Sequence, residues 1–348
     1  MAVDLSVAIG PVRLTSPLIL GSFDALTDSG VFERCFELCG DALGALVSKS
    51  TTLDPRQGYP HPKVARFGSG LLVASGNTNP GIARVTREVR TFKHKHPDRV
   101  VFGSIVSDGD HPERELTEEY ALLAAEYARA GVDGLELNLS CPHLDPRDRE
   151  HTIVPAQDPE LVARLVTAVR SSLSGAGCEH CLVVPKLTGW NCDPTAVALA
   201  AERAGADAVT LSNLFPGTGF YTGVTQNRMP SGKQELGEYL LGHGKGAYSG
   251  KAMHSAVLLI ISNLRKHLQI PLFAAGGCAT DLDSLAQTFM AGATAVQTVT
   301  PFYFDNPGQM GCLAGLQKLV RQFEDFLAGH HLNSPKDLHR LSLSRRHA

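Results

Sequence analysis

The chain has 348 residues, 43% hydrophobic and 19% charged, the make-up of a soluble globular protein with a sizeable core. A net charge of −3 argues against nucleic-acid binding through a basic face. No apolar run approaches the length of a membrane span, and the start Met-Ala-Val-Asp-Leu-Ser lacks the regions of a signal peptide, so a cytoplasmic protein is expected.

Strand-like and helix-like apolar patterns alternate along the chain. Strands are predicted at Leu18–Leu20, Ala45–Lys49, Val100–Ile105, Gly134–Asn138, Leu182–Lys186, Ala208–Leu211, Leu272–Ala274 and Ala295–Thr298. Helices are predicted at about 30–39, 82–95, 117–130, 158–173, 195–204, 252–267, 281–291 and 308–328. In the third helix Thr117 is the expected N-cap, Glu118 and Glu119 suit the positive helix start, and Gly131 ends it. Its Tyr120, Leu123, Ala124 and Tyr127 share one face. The long connections 50–80 and 212–249 are expected to be structureless lids or binding loops. The basic, His-rich stretch Ser334–Ala348 is expected to be a solvated helix.

Eight strands each followed by a helix predict a (β/α)8 TIM barrel: one domain over 1–348, with the barrel at about 17–328 and a tail at 329–348. A dinucleotide-binding open sheet would place a glycine-rich turn after its first strand. Here that turn is Gly21-Ser22-Phe23-Asp24, and the later glycine clusters fail the GxGxxG spacing. Eight cysteines in so long a chain do not make a disulfide framework. Cys178-Glu179-His180-Cys181 has no second pair at zinc-site spacing, so no metal is expected.

Barrels of this kind carry their chemistry at the C-terminal ends of the strands. Collecting those ends brings together Gly21 and Ser22, then Ser48, Lys49, Ser50 and Thr51, then Asn138, Ser140 and Cys141. Strands five to eight add Lys186 and Thr188, Ser212 and Asn213, Gly276 and Gly277, and Thr298 and Thr300. An amide, a hydroxyl and a thiol at the end of strand four form a plausible proton-transfer site. The Gly-Gly pair and the threonines suit an anion such as a phosphate. Lys186 ends a buried strand, so an anionic partner is implied, either a flavin that becomes anionic on reduction or a substrate carboxylate.

The motifs in this order resemble those of the class 1 dihydroorotate dehydrogenases, and equally the pyrimidine-reducing domain of dihydropyrimidine dehydrogenase. They are Ser48-Lys49-Ser50-Thr51-Thr52-Leu53 with Arg56-Gln57-Gly58-Tyr59-Pro60, Asn79-Pro80-Gly81, Glu136 to His143, Pro185-Lys186-Leu187, Ser212-Asn213, Ser249-Gly250, Ala275-Gly276-Gly277, and Ala291-Gly292-Ala293 with Val296-Gln297. The likeness runs from about Pro17 to Ala328.

The resemblance implies a barrel holding FMN, with the phosphate on Gly250, Gly276, Gly277 and Thr300. The ring would lie near Gly21, Ser22, Lys49, Ser50, Asn138, Lys186 and Ser212, with Lys186 stabilising the reduced form. In the family a hydride passes between flavin N5 and one carbon of a C–C bond, while a cysteine handles the proton on the next. Cys141 matches that cysteine, with Lys49 and Ser140 beside it. Substrate would meet Lys49, Ser75, Gly76, Asn77, Asn138, His143 and Asn213, under a lid from Pro142 to about Pro155. His143 would pair with a carboxylate or solvate the lid. The resemblance also implies a homodimer; no nucleic-acid partner, membrane or metal is expected.

The departures bear on the substrate. Where the family has Asn-Ser-Met-Gly-Leu-Pro-Asn, this chain has Val73-Ala74-Ser75-Gly76-Asn77-Thr78-Asn79, so Val73 replaces an amide. Leu214 follows Asn213 where the family has a hydroxyl, and Cys141-Pro142-His143 replaces Cys-Pro-Asn. A site that has lost two hydrogen-bonding groups should bind orotate poorly. The expected function is oxidation or reduction of a CH–CH bond in a small, cyclic amide- or carboxylate-bearing substrate. The rivals are dihydroorotate oxidation itself, a tRNA dihydrouridine synthase and an inactive flavin-binding barrel. The acidic balance and the short tail argue against the tRNA enzyme.

Overall fold

The computed structural model describes residues 3–107, 111, 113–140, 154–222, 235–299 and 313–344. In chain order the strands are β1 (Val7–Ile9), β2 (Val12–Leu14), β3 (Leu18–Leu20), β4 (Ala45–Val47), β5 (Val64–Phe67), β6 (Gly70–Val73) and β7 (Val100–Ile105). They continue with β8 (Gly134–Asn138), β9 (Leu182–Lys186), β10 (Val209–Leu211), β11 (Phe215–Thr218), β12 (Lys245–Gly250), β13 (Leu272–Ala275) and β14 (Ala295–Thr298). The helices are α1 (Ser29–Cys39), α2 (Ile82–Lys95), α3 (Leu116–Arg129), α4 (Pro159–Gly175), α5 (Pro194–Arg203), α6 (His254–Leu264), α7 (Leu282–Ala291), α8 (Ala314–Gly329) and α9 (Pro335–Ser344).

Strands β3-β4-β7-β8-β9-β10-β13-β14 pair in parallel and close on themselves, the eight-stranded barrel the alternation predicts. Side chains along a strand point alternately to its two faces, so each strand feeds two cores. Ile19, Ala45, Val47, Val100, Phe102, Leu182, Val184, Phe273 and Ala295 fill the barrel interior. Leu18, Leu20, Leu46, Val101, Leu135, Leu137, Val183, Val209 and Val296 turn outward to the helices. The hairpin β1–β2 adds Val7, Ile9 and Leu14 to the interior cluster and plugs the barrel end away from the strand C-termini.

The long connections depart from expectation. Segments 50–80 and 212–249 build an antiparallel four-stranded sheet, order β11-β12-β6-β5, at the mouth of the barrel. Its strands are short and carry glycines where backbones meet: a Cβ at Gly70 would stand 2.0 Å from the Ser249 carbonyl oxygen. Such pairing across distant segments leaves no local alternation to read. Helix α3 begins at Leu116 with Glu115 as N-cap and no side-chain cap bond, so Thr117 lies inside the helix. Helix α9 is not solvated all round. Leu338 is buried and Ser342 Oγ donates to the Met290 carbonyl at 2.8 Å, docking α9 on α7. Among the described residues no helix is long and apolar enough to cross a membrane.

One buried contact couples this scaffold to the mouth. Tyr127 on α3 packs against Gly103 of β7, where a Cβ would stand 2.5 Å from its ring. Its hydroxyl meets Ser48 Oγ at 2.9 Å and Thr51 Oγ1 at 2.8 Å, on either side of Lys49 and Ser50, and burial pushes its pKa up to about 12. Tyr127→Phe is expected to cost about 1–2 kcal/mol, read as a lowered urea midpoint, because two buried hydroxyls lose a partner.

Candidate active site

At the C-terminal ends of the strands lies a cavity with about 1180 Å³ of empty space, the open solvent at its mouth included. From the strand ends Gly21, Ser22, Lys49, Ser50, Asn138, Lys186, Ser212, Asn213, Gly276 and Gly277 line it, with Ser75 and Asn77 from the mouth segment, whereas Ser48, Thr51, Ser140 and Thr188 do not. Gly76 and Gly250 adjoin lining residues, Gly76 between Ser75 and Asn77 and Gly250 after Ser249. A Cβ at Gly76 would meet Tyr59, and Gly250 backs Gly277. Cys141, His143 and Thr300 lie outside the described residues.

A chain of hydrogen bonds ties the strand ends into one wall. Ser22 Oγ accepts from the Ser50 N–H at 2.9 Å, and Asn138 Nδ2 donates to Ser50 Oγ at 3.0 Å. Asn213 Nδ2 donates to Asn138 Oδ1 at 3.1 Å and to Ser140 Oγ at 2.9 Å, while its Oδ1 accepts the Leu214 N–H at 2.9 Å. Ser140 Oγ donates in turn to the Lys186 carbonyl at 3.0 Å, anchoring the residue that precedes Cys141. The two amides are therefore held in fixed orientations, the preorganisation that binding a polar ligand requires.

Both lysines are paired within the chain. Lys186 Nζ donates to Glu136 Oε1 at 3.3 Å and to Gln297 Oε1 at 3.0 Å. Glu136, only 1% exposed, also takes bonds from Gln297 Nε2 and from Thr210 Oγ1 at 3.5 Å. The barrel thus supplies Lys186 with an anionic partner of its own, so its burial does not by itself require one from outside. Strand alternation turns Glu136, Lys186, Thr210 and Gln297 to the interior, where strand pairing brings them into contact. Lys49 Nζ donates to Asp24 Oδ1 at 2.5 Å and to Ser75 Oγ at 3.2 Å.

Asp24 and the partnership of Glu136 and Gln297 with Lys186 escaped the sequence reading. For Asp24 the available signal was its place in the Gly21-Ser22-Phe23-Asp24 turn, at the mouth shared with Lys49. For the other pair it was the period-two rule, which puts Glu136 on the same strand face as Asn138. The two apolar departures, Val73 and Leu214, both line the cavity, joined by Leu71. Elsewhere burial pushes the thiols of Cys35, Cys181 and Cys278 up to about 12, which marks them as packing residues.

Comparison with known proteins identifies the family. The family model described as dihydroorotate dehydrogenase matches residues 13–317. The dihydroorotate dehydrogenase A (fumarate) of Lactiplantibacillus plantarum is 32% identical over 81% of this chain and 83% of its own length. The catalytic subunit of dihydroorotate dehydrogenase B (NAD(+)) from Pyrococcus furiosus is 32% identical over 86% of this chain and 88% of its own. The crystal structure of a ligand-free type DHODH from Eimeria tenella shares the fold, with a TM-score of 0.73 at 19% identity, covering 96% of this chain and 91% of that one. The chain belongs to the dihydroorotate dehydrogenase family and is an oxidoreductase of that flavin-dependent, CH–CH-acting kind.

Proposed function

We propose that this protein is an FMN-dependent oxidoreductase acting on a CH–CH bond of a small cyclic substrate bearing amide or carboxylate groups. The observation that carries the reading is the single cavity wall of Lys49, Ser50, Asn138 and Asn213, braced by Ser140 through Asn213, with a glycine cradle at the ends of β12 and β13. Gly276 and Gly277 have φ of +105° and +76°, and a Cβ at Gly277 would stand 2.5 Å from the Gly250 carbonyl oxygen. Such side-chain-free backbone admits a phosphate closely, which supports FMN as the cofactor. Gly250, Gly276, Gly277 and Thr300 would hold the phosphate, and Gly21, Ser22, Lys49, Ser50, Asn138, Lys186 and Ser212 the ring end.

When bound, FMN supplies two-electron hydride chemistry at its ring. The chain's own residues do the rest. Cys141 Sγ gives or takes the proton on the carbon next to the one exchanging hydride, and Ser140 positions it through the bond to the Lys186 carbonyl. Asn138 and Asn213 present amides to the substrate's polar edge, with Lys49, Ser75, Gly76, Asn77 and His143 completing the surroundings. Lys186 offsets negative charge on the reduced ring. The same reading takes the enzyme as a cytoplasmic homodimer.

Dihydroorotate oxidation itself is the second reading, favoured by the names of the relatives. Against it stand Val73 and Leu214, apolar at the cavity wall where the class 1 pattern has an amide and a hydroxyl. The purified protein should be yellow with a flavin spectrum. Anaerobic screening of cyclic amides and acids for bleaching of that spectrum then identifies the substrate. A colourless protein unable to take up FMN refutes the proposal, and rapid turnover of dihydroorotate with fumarate would decide for the second reading. Gly277→Ala is expected to weaken FMN retention at least about tenfold, because the methyl group forces the cradle open against a strained φ. Fluorescence titration of the apoprotein with FMN measures it.

A further inference from the structure

Building on that functional reading, we infer that Asp24 makes the cavity selective for an uncharged ring, a cyclic amide or imide, over the same ring carrying a carboxylate. Asp24 lines the cavity beside Lys49 and accepts a hydrogen bond from Nζ at 2.5 Å, while Ser75 Oγ accepts a second from it at 3.2 Å. Lys186, the other described cation at the wall, is held by the buried carboxylate of Glu136. Among the described residues around the cavity, each of the two cations therefore already has a carboxylate partner, and neither stands unpaired for a substrate carboxylate.

A substrate carboxylate seeking Lys49 would approach the Asp24 carboxylate within a few ångströms, or would have to displace it. Like charges brought together at a half-exposed site oppose binding, whereas a neutral ring meets no such opposition. The remaining wall has the same character. Leu71, Val73 and Leu214 offer apolar contact, and Asn77, Asn138 and Asn213 offer neutral donors and acceptors matched to amide edges.

The test uses the full-length, FMN-loaded protein and two probes that differ only by a carboxylate, uracil and orotate, with binding read from perturbation of the flavin absorbance. The wild type is expected to bind uracil at least about tenfold more tightly. Asp24→Asn, which keeps the shape and frees the Lys49 charge, should shift the ratio toward orotate by about tenfold or more. Asp24→Glu should keep the wild-type preference. Orotate binding as tight as uracil in the wild type, a ratio unmoved by Asp24→Asn, or failure of uracil to perturb the flavin would each overturn the inference while leaving the flavin assignment standing. Failure to take up FMN would instead sink the functional reading and this one with it.

Discussion

Replacing Cys141 with alanine is expected to leave FMN bound and to slow its reduction by substrate about 10²–10⁴-fold, the usual worth of a positioned proton-transfer group. Cys141 follows Ser140, and the described chain up to that point is firmly anchored. The Leu139 N–H donates to the Lys186 carbonyl at 3.3 Å, and Ser140 Oγ donates to the same oxygen at 3.0 Å. A thiol with a reference pKa of about 8.5 exchanges protons readily near neutrality. The core thiols, pushed to about 12 by burial, do not. Cys141→Ser keeps a proton but loses acidity, so it should recover part of the rate and perform best at higher pH. Stopped-flow bleaching under anaerobic conditions resolves the three proteins, with flavin content measured in parallel. Unchanged bleaching in the alanine variant would remove Cys141 from the chemistry.

Lys186→Met should lower the stability of the fold by about 3–5 kcal/mol, because it leaves the Glu136 carboxylate buried without its cation. Gln297 Nε2 and Thr210 Oγ1 still donate to that carboxylate, but neutral donors do not compensate a charge inside the barrel. Adding Glu136→Gln removes the stranded charge, and the double variant should recover most of the loss. Urea denaturation of the apoproteins measures the cycle; a single variant as stable as the wild type would overturn the argument that Lys186 compensates the Glu136 charge. In the holoprotein the same Lys186→Met change takes away the cation proposed to offset the reduced ring. Its flavin should therefore be harder to reduce, a readout that a purely structural role would not move.

The residues that report on the site fall into two groups by how far they act. Ser22, Lys49, Ser50, Asn138, Lys186, Asn213, Gly276 and Gly277 were legible because each ends a short apolar strand, and strand ends in a closed parallel barrel share one mouth. The mouth sheet was not legible. Its strand β6, paired locally with β5, meets β12 only after the chain has passed through four barrel strands and their helices. Helix α9 was visible as a helix but not as a packed one, since the face it buries is set by α7.

The linear order of apolar and polar residues determined the eight-fold alternation, the barrel and the identity of most groups at its mouth. These follow from side-chain periods of 2 and 3.6, which operate over a few residues. Only the folded chain decided how the charges are spent. Lys49 is bonded to Asp24, 25 residues away, and Lys186 to Glu136 and Gln297, 50 and 111 residues away. The physical reason is that ion pairs and amide contacts depend on separations of about 3 Å in space, which barrel closure sets and which no local period encodes.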